Sequence, residues 1–291
     1  MTDLEPLARA IERATGQPFK LRRHLNVGGG CINRAVVLSS ADSSYFVKLN
    51  SAERLSMFEA EAAGLEALGQ AAAIRVPTPI CCGTTDAQAY LVMTHCDLSG
   101  RLDPARAGEG LAQLHRNTAT GYGWHRDNTI GSTPQHNHWA PDWVSFWRDH
   151  RLGFQLERAV QNGHGRDLGA AGERLLLGLS ALIGHHPPAS LLHGDLWGGN
   201  IGALPDGEPV LFDPAVYYGD RETDLAMTEL FGGFGSGFHA AYRAAWPLPP
   251  EFATRKVLYN LYHVLNHLNL FGGGYRAQAQ RMIDQLLAEI R

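Results

Sequence analysis

Residues 191–214 read Leu-Leu-His-Gly-Asp-Leu-Trp-Gly-Gly-Asn-Ile-Gly-Ala-Leu-Pro-Asp-Gly-Glu-Pro-Val-Leu-Phe-Asp-Pro. Two short apolar runs flank a Pro205-Asp206-Gly207 turn, which predicts a small hairpin. A polar, glycine-rich loop, His193 to Asn200, comes just before it. The sequence around this stretch is helical. Asp103-Pro104 is an N-cap followed by proline at the first helical position, opening a helix to about Arg116. Asp142 starts another, with Trp143, Phe146 and Trp147 on one face. Residues 168–183, 221–231, 255–271 and the end of the chain also read as helix. A polar loop between short strands, inside a helical region, is a place where reactive groups tend to sit.

Before residue 96 the pattern is different. Leu4, Leu7, Ala8 and Ile11 have helical spacing, and Gly16 ends that helix. Residues 35–38 (AVVL) and 45–49 (YFVKL) are strand-like and joined by SSADSS, a turn composition. A helix over about 52–68 follows, with Leu55, Phe58, Ala62, Leu65 and Leu68 at steps of three and four. Residues 76–82 and 89–93 are again strands. The expectation is an α+β chain in two lobes: 1–96, a mostly antiparallel sheet carrying one long helix, and 97–291, larger and mainly helical.

Composition narrows the function. The chain has 291 residues, 44% hydrophobic and 19% charged, which is globular and long enough for a sizeable core. A formal net charge of −4 argues against nucleic acid as a partner. No apolar run reaches the about 18 residues of a membrane helix, so no membrane association is expected. The N-terminal MTDLEPLARAIERATG carries acids early and lacks an apolar signal core, so a cytoplasmic location is expected. The cysteines, Cys31, Cys81, Cys82 and Cys96, form no CxxC pair and suggest no zinc framework. Only Lys20, Lys48 and Lys256 are lysines, so Lys48, inside an apolar strand, stands out.

The polar loop has a chemistry to go with its place. Asp195 followed five residues later by Asn200 matches the catalytic loop of kinases. There the aspartate orients the attacking hydroxyl and accepts its proton, and the asparagine holds magnesium. Asp213, thirteen residues further on at the end of a short apolar strand, suits the second magnesium ligand. Magnesium takes hard oxygen ligands and keeps phosphate oxygens in its shell, so an Asn, an Asp and ATP are chemically sufficient. The same scheme needs a lysine on a strand and a glutamate to hold it. Burying the Lys48 ammonium costs several kcal/mol unless it is paired. Glu61, four and seven residues before Leu65 and Leu68, lies on the inward helix face and is chosen over Glu59. Gly28, Gly29 and Gly30, about 20 residues before Lys48, allow backbone N–H groups to approach phosphate. Met93-Thr94-His95-Cys96 stands where a hinge would offer backbone groups to adenine, from Thr94 and Cys96; an ordinary linker predicts the same residues.

With these residues in view, the chain resembles the kinase-like small-molecule phosphotransferases, and more narrowly the fructosamine (ketosamine) kinase family. The resemblance rests on GGGCINRA at 28–35, YFVKLN at 45–50, MFEAEAAGLEAL at 57–68, DNTIGSTPQHN at 127–137, LLHGDLWGGN at 191–200 and FDPAVYYGDRETDLAMTELFGGF at 212–234. It implies a bilobal protein-kinase-like fold. It also implies ATP-dependent phosphorylation of the 3-hydroxyl of a ketosamine, small or protein-attached, after which the adduct falls apart: deglycation. Carried over, it gives Asp195 as base, Asn200 and Asp213 on magnesium, Lys48 on the α/β phosphates and Glu61 as its partner. Asp-Pro-Ala at 213–215 replaces the Asp-Phe-Gly of protein kinases, and no long activation segment follows.

Several readings stay open. Trp197 either stacks on the acceptor sugar or packs under its loop. Residues 124–139 either line an acceptor site or are an ordered connection. Asp224 is expected to accept backbone hydrogen bonds from the catalytic loop. His263 and His267, four apart, read as a helix face. Cys31, next to three glycines, is either an oxidisable thiol favoured by oriented N–H groups or a small packed residue; the resemblance links it to redox control. The alternative acceptor is an aminoglycoside, choline-like or other small alcohol. A pseudokinase would not need Lys48, Glu61, Asp195, Asn200 and Asp213 together, and a metallohydrolase would need more ligands near His193. The sugar, the amine and the oligomeric state are not legible.

Overall fold

The computed structural model describes residues 4–28, 32–85 and 88–290. The chain divides into two compact units, Met1–Asp103 with Ile201–Asp213, and Pro104–Asn200 with Pro214–Arg291. In the first unit, α1 (Glu5–Thr15) buries Leu7, Ala8 and Ile11 and ends at Gly16, whose φ of 67° is the left-handed stop that glycine adopts without strain. Then come β1 (Arg23–Val27), β2 (Arg34–Ser39), β3 (Ser44–Ser51), a 3₁₀ turn at Ala52–Arg54, α2 (Leu55–Gln70), β4 (Pro79–Thr84) and β5 (Gln88–Thr94). The strands form one antiparallel sheet in the order β1-β2-β3-β5-β4.

Strand alternation assigns the two faces of this sheet. Val47 and Leu49 join Leu7, Ile11, Val36, Leu38 and Val92 in a core on the α1 side. Phe46, Leu91 and Met93 pack with Met57, Phe58 and Leu65 of α2 on the other. Lys48 shares the parity of Phe46 and so lies on the α2 face. Phe58 and Leu65 are almost fully buried, worth roughly 1.5–3 kcal/mol each. That burial fixes the rotation of α2 and therefore which of its glutamates points inward.

The second unit contains α3 (Pro104–His115), β6 (Thr118–Ala119), β7 (Asn128–Ile130), β8 (Thr133–Gln135), α4 (Trp143–Trp147), α5 (Gly153–Gln161), α6 (Arg166–Leu177), α7 (Leu179–Ile183) and β9 (Ala189–Leu192). After the hairpin β10 (Ile201–Ala203) and β11 (Pro209–Leu211), it resumes with β12 (Tyr217–Gly219), α8 (Glu222–Leu230), α9 (Ser236–Ala245), α10 (Phe252–Phe271) and α11 (Tyr275–Glu289). The Asp142 carboxylate accepts the Ser145 N–H at 2.8 Å, capping α4. Helix α10 packs against α5, α8 and α11, and Tyr259 meets Trp143 and Trp147 edge-on. Strand β9 is buried throughout and sits between β12 and β6, so the polar loop leaves from the middle of a small sheet.

Three expectations are corrected here. β1 was read as no element, because its RHLNV sequence is exposed along its whole length and shows no inward alternation. The helix expected over 168–183 breaks at Gly178, where an added Cβ would come within 2.4 Å of Ile290 Cδ1. The β10–β11 hairpin groups with the first unit, whereas 97–291 was read as one lobe ending at a boundary near 96. The reason is local: Gly100 N–H donates to Ala203 O (3.1 Å), Asp103 N–H to Gly207 O (3.3 Å) and Leu211 N–H to Arg75 O (2.9 Å). At Gly100 a Cβ would fall 1.7 Å from Leu204 O, so no other residue permits this approach.

Candidate active site

The lysine end lies wholly in the first unit. Lys48 is 6% exposed. Its Nζ donates to Glu61 Oε1 and to Asp213 Oδ1, both at 2.5 Å. Burial works against the ammonium, but the two carboxylates outweigh it and hold its pKa well above the ordinary lysine value. Burial pushes Glu61 up, against the pull of Lys48. Lys48 thus pairs with both carboxylates. Asp213 is held at φ 57°, one of two non-glycine residues with positive φ among the described residues. The left-handed conformation costs an L-residue about 1–2 kcal/mol, so this carboxylate is presented at a cost paid elsewhere in the fold.

Register extends this face towards a second feature. Leu25, Val37, Phe46 and Met93 are successive cross-strand partners through β1, β2, β3 and β5. The next row on the same face pairs Ala35, Lys48 and Leu91. At the outer end, Arg23, Leu25, Val37, Ser39, Ser44 and His95 line a cavity of about 200 Å³. Sequence reading missed Leu25 because β1 went unrecognised. Thr94 also needs correcting as an offer of backbone groups: its N–H donates to Thr78 O at 2.9 Å, leaving only its carbonyl. Cys96 is half-buried, and burial raises its thiol pKa. Gly28 ends the strand; Gly29, Gly30 and Cys31 lie outside the described residues. A larger cavity, about 550 Å³, is bounded by Leu65, Gly69, Ile74, Arg75, Pro77 and Glu208 and holds none of the sequence-predicted residues.

The aspartate loop lies in the second unit. His193 N–H donates to Asp224 Oδ2 (2.7 Å) and Gly194 N–H to Asp224 Oδ1 (2.8 Å). His115 Nε2 stands 3.1 Å from Asp224 Oδ2. Burial opposes the Asp224 charge, but these donors prevail and hold its carboxyl below the usual range. The chain of contacts continues from His115 Nδ1 to Tyr242 Oη (2.8 Å), which accepts from Arg221 Nη1 (3.0 Å). Gly194 has φ 83°, and a Cβ there would lie 2.0 Å from Ala215 O, so the turn demands glycine. Asn200 Nδ2 donates to Asp195 O (2.8 Å) and Oδ2 (3.1 Å), bracing the aspartate.

Ile201 pairs with Leu211 in the hairpin ladder, so Asn200 and Asp213 leave it at the same end. Their donor set is all oxygen, which fits magnesium. Trp197 is 39% exposed, and its ring lies over Gly199, where a Cβ would clash at 2.3 Å.

A lysine held by a helix glutamate, an aspartate after a buried strand and an Asp-to-Asn loop on a small sheet define a kinase-like phosphotransferase. The sequence pattern of the fructosamine kinase family matches residues 4–289. The chain is 47% identical over 288 residues to a probable ketoamine kinase of Synechocystis sp., covering 97% of this chain and 96% of that one. It is 42% identical over 281 residues to the chloroplastic protein-ribulosamine 3-kinase of Oryza sativa, covering 95% and 82%. A solved fructosamine-3-kinase candidate from Thermobifida fusca superposes with a TM-score of 0.86 at 30% identity, covering 98% of this chain and all (100%) of that one. The chain belongs to the fructosamine kinase family.

Proposed function

We propose that this protein transfers the γ-phosphoryl group of ATP to the 3-hydroxyl of a ketosamine, a sugar–amine adduct of the ribulosamine or fructosamine type, borne on a small amine or on a protein. The observation that carries the reading is family membership over nearly the whole chain together with the Lys48–Glu61–Asp213 cluster. In the reading, Lys48 neutralises α/β-phosphate oxygens and Glu61 holds it in place. Backbone N–H groups of Gly28, Gly29 and Gly30 approach the phosphates. The Thr94 carbonyl and the Cys96 N–H meet adenine, whose rings lie along the row that Leu25 and Val37 begin. Asp195 orients the acceptor hydroxyl and takes its proton as the oxygen bonds to phosphorus and ADP departs. Asn200 and Asp213 are the residues that would hold magnesium, which supplies neutralisation of phosphate charge. Trp197 faces the acceptor. Loss of the amine from the phosphorylated adduct makes the reaction a deglycation step, suited to a cytoplasmic enzyme; among the described residues no helix is long and apolar enough to cross a membrane.

The test is ATP consumption across ribulosamine, erythrulosamine and fructosamine adducts, with aminoglycosides and amino alcohols alongside. Turnover confined to the ketosamines is the expected result. Turnover on the amino alcohols alone would overturn it.

A further inference from the structure

Beyond the acceptor sugar, a run of exposed rings begins at Trp197, two residues from Asp195. The centroids of Trp197 and Phe231 lie 6.3 Å apart, edge to face. Phe231 meets His267 at 4.8 Å. His267 meets Phe271 at 5.5 Å and Tyr275 at 5.2 Å. His267 and Phe271 are four residues apart on α10 and so share one helix face. Phe231 is 39% exposed and Phe271 57% exposed. Large rings standing contiguous and half in water mark a binding surface more often than chance.

The segment after Phe231 lies tight on the catalytic loop. A Cβ at Gly233, φ 103°, would fall 2.6 Å from Gly198 Cα, so the backbone that carries Phe231 runs close against the Asp195 loop. The strip's members are ring side chains, and burial lowers the His267 pKa, which favours the neutral imidazole. A strip of rings offers contact area to alkyl and aromatic groups, and a ring face to a cation.

The geometry points to Phe231, Phe271 and Tyr275 as a subsite for the amine-bearing arm of the acceptor: the lysine stem and the apolar or aromatic residues beside it in a glycated peptide. The assignment rests on the kinase reading and adds to it the side of the acceptor that leaves as amine. It makes the enzyme selective for the aglycone, independent of the sugar.

The experiment compares two acceptors with the same sugar: the ribulosamine of methylamine, and the ribulosamine on the side-chain amine of a lysine flanked by leucine and phenylalanine in a short peptide. Wild type is set against Phe271→Ser/Tyr275→Ser, at the far end of the strip from the catalytic loop, with the remote, 87% exposed Leu177→Ser as control. The expected result is a loss of about 10-fold in kcat/KM on the peptide, the size of one or two lost ring contacts, with the methylamine adduct and the ATP KM unchanged. An equal fall on both acceptors, or none on either, would overturn the subsite. A wild-type enzyme inactive on both adducts would overturn the kinase reading, and the subsite with it.

Discussion

Around Lys48 the structure positions by charge, whereas around Asp195 it positions by backbone. Lys48 is aimed by two carboxylates, Glu61 and Asp213, carried by two elements other than its own strand. Asp195 stands in a loop whose preceding N–H groups, from His193 and Gly194, are held by the buried Asp224 carboxylate. The first arrangement is one that an incoming anion can rearrange, since ion pairs exchange partners. The second is a rigid mount, since two peptide groups cannot move without losing their acceptor. Binding of a charged phosphate chain suits the first; fixing a base to within a fraction of an ångström suits the second.

The largest effect that separates the two comes from Asp195, the proposed base. Asp195→Asn should lower kcat by roughly 10²–10⁴, the usual contribution of a positioned acid or base. The ATP KM and the unfolding midpoint should stay near wild type, because the substitution is isosteric and touches no phosphate. A variant within about 3-fold of wild-type kcat, far less than such a base contributes, would remove Asp195 from that role.

At the charged end the damage should fall on stability as well as activity. Lys48→Met leaves the nearly buried Glu61 carboxylate, 11% exposed, without its cation. Breaking a buried pair from one side costs about 3–5 kcal/mol. Adding Glu61→Gln should recover most of that in urea unfolding while leaving activity lost. Additive losses in the double-mutant cycle would mean that the two groups are not coupled.

Asp224→Asn tests the rigid mount. The carboxamide has only one oxygen, so Gly194 N–H would face an NH₂ group. One unsatisfied buried donor costs about 1–3 kcal/mol. The kcat should fall with little change in the ATP KM; a fall in ATP affinity alone would put Asp224 in the service of the nucleotide instead.

The smallest effect is a dependence on pH. His185 Nδ1 faces the Ile183 carbonyl (2.6 Å) and Nε2 faces Asp220 Oδ2 (3.0 Å). Both partners accept, which favours the doubly protonated ring, and the Asp220 bond raises its pKa despite burial and the nearby Arg255. A group raised on folding contributes stability that is full below its unfolded pKa, about 6.5, and is lost as pH climbs through the higher folded value. Wild type should therefore lose up to about 1 kcal/mol just above that range relative to His185→Gln. Parallel pH curves for the two proteins would show that the ring contributes nothing by its charge.

How legible this was depends on where the information sits. Lys48, Glu61 and the Asp195–Asn200 spacing are local: a cation in an apolar run, a helix phase set by Leu65 and Leu68, and a fixed interval along one loop. The partner of the helix phase is close in space because α2 has only one way to bury Phe58 and Leu65. β1 was hidden because an exposed edge strand has no inward alternation to read. The affiliation of the 201–213 hairpin depends on backbone bonds to Gly100, Asp103 and Arg75, about a hundred residues or more away, and on a clash only a built chain reveals. The commitment of the Thr94 N–H to Thr78 O, with the Thr94 hydroxyl accepting the Thr78 N–H in return, comes from a pairing 16 residues apart that no local pattern signals. Asp224 was legible as an acceptor of backbone hydrogen bonds from the catalytic loop, which the His193 and Gly194 N–H groups supply, but the His115 and Tyr242 side chains behind it come from elements far away in sequence.

The most direct measurement is the identity of the phosphorylated product. Incubating the enzyme with ATP, magnesium and the ribulosamine of a simple amine, and following ³¹P–¹H correlation, should show one new phosphomonoester coupled to the proton on carbon 3, formed one for one with ADP. An ester at any other carbon, or inorganic phosphate and ADP formed without release of the free amine, would contradict the account.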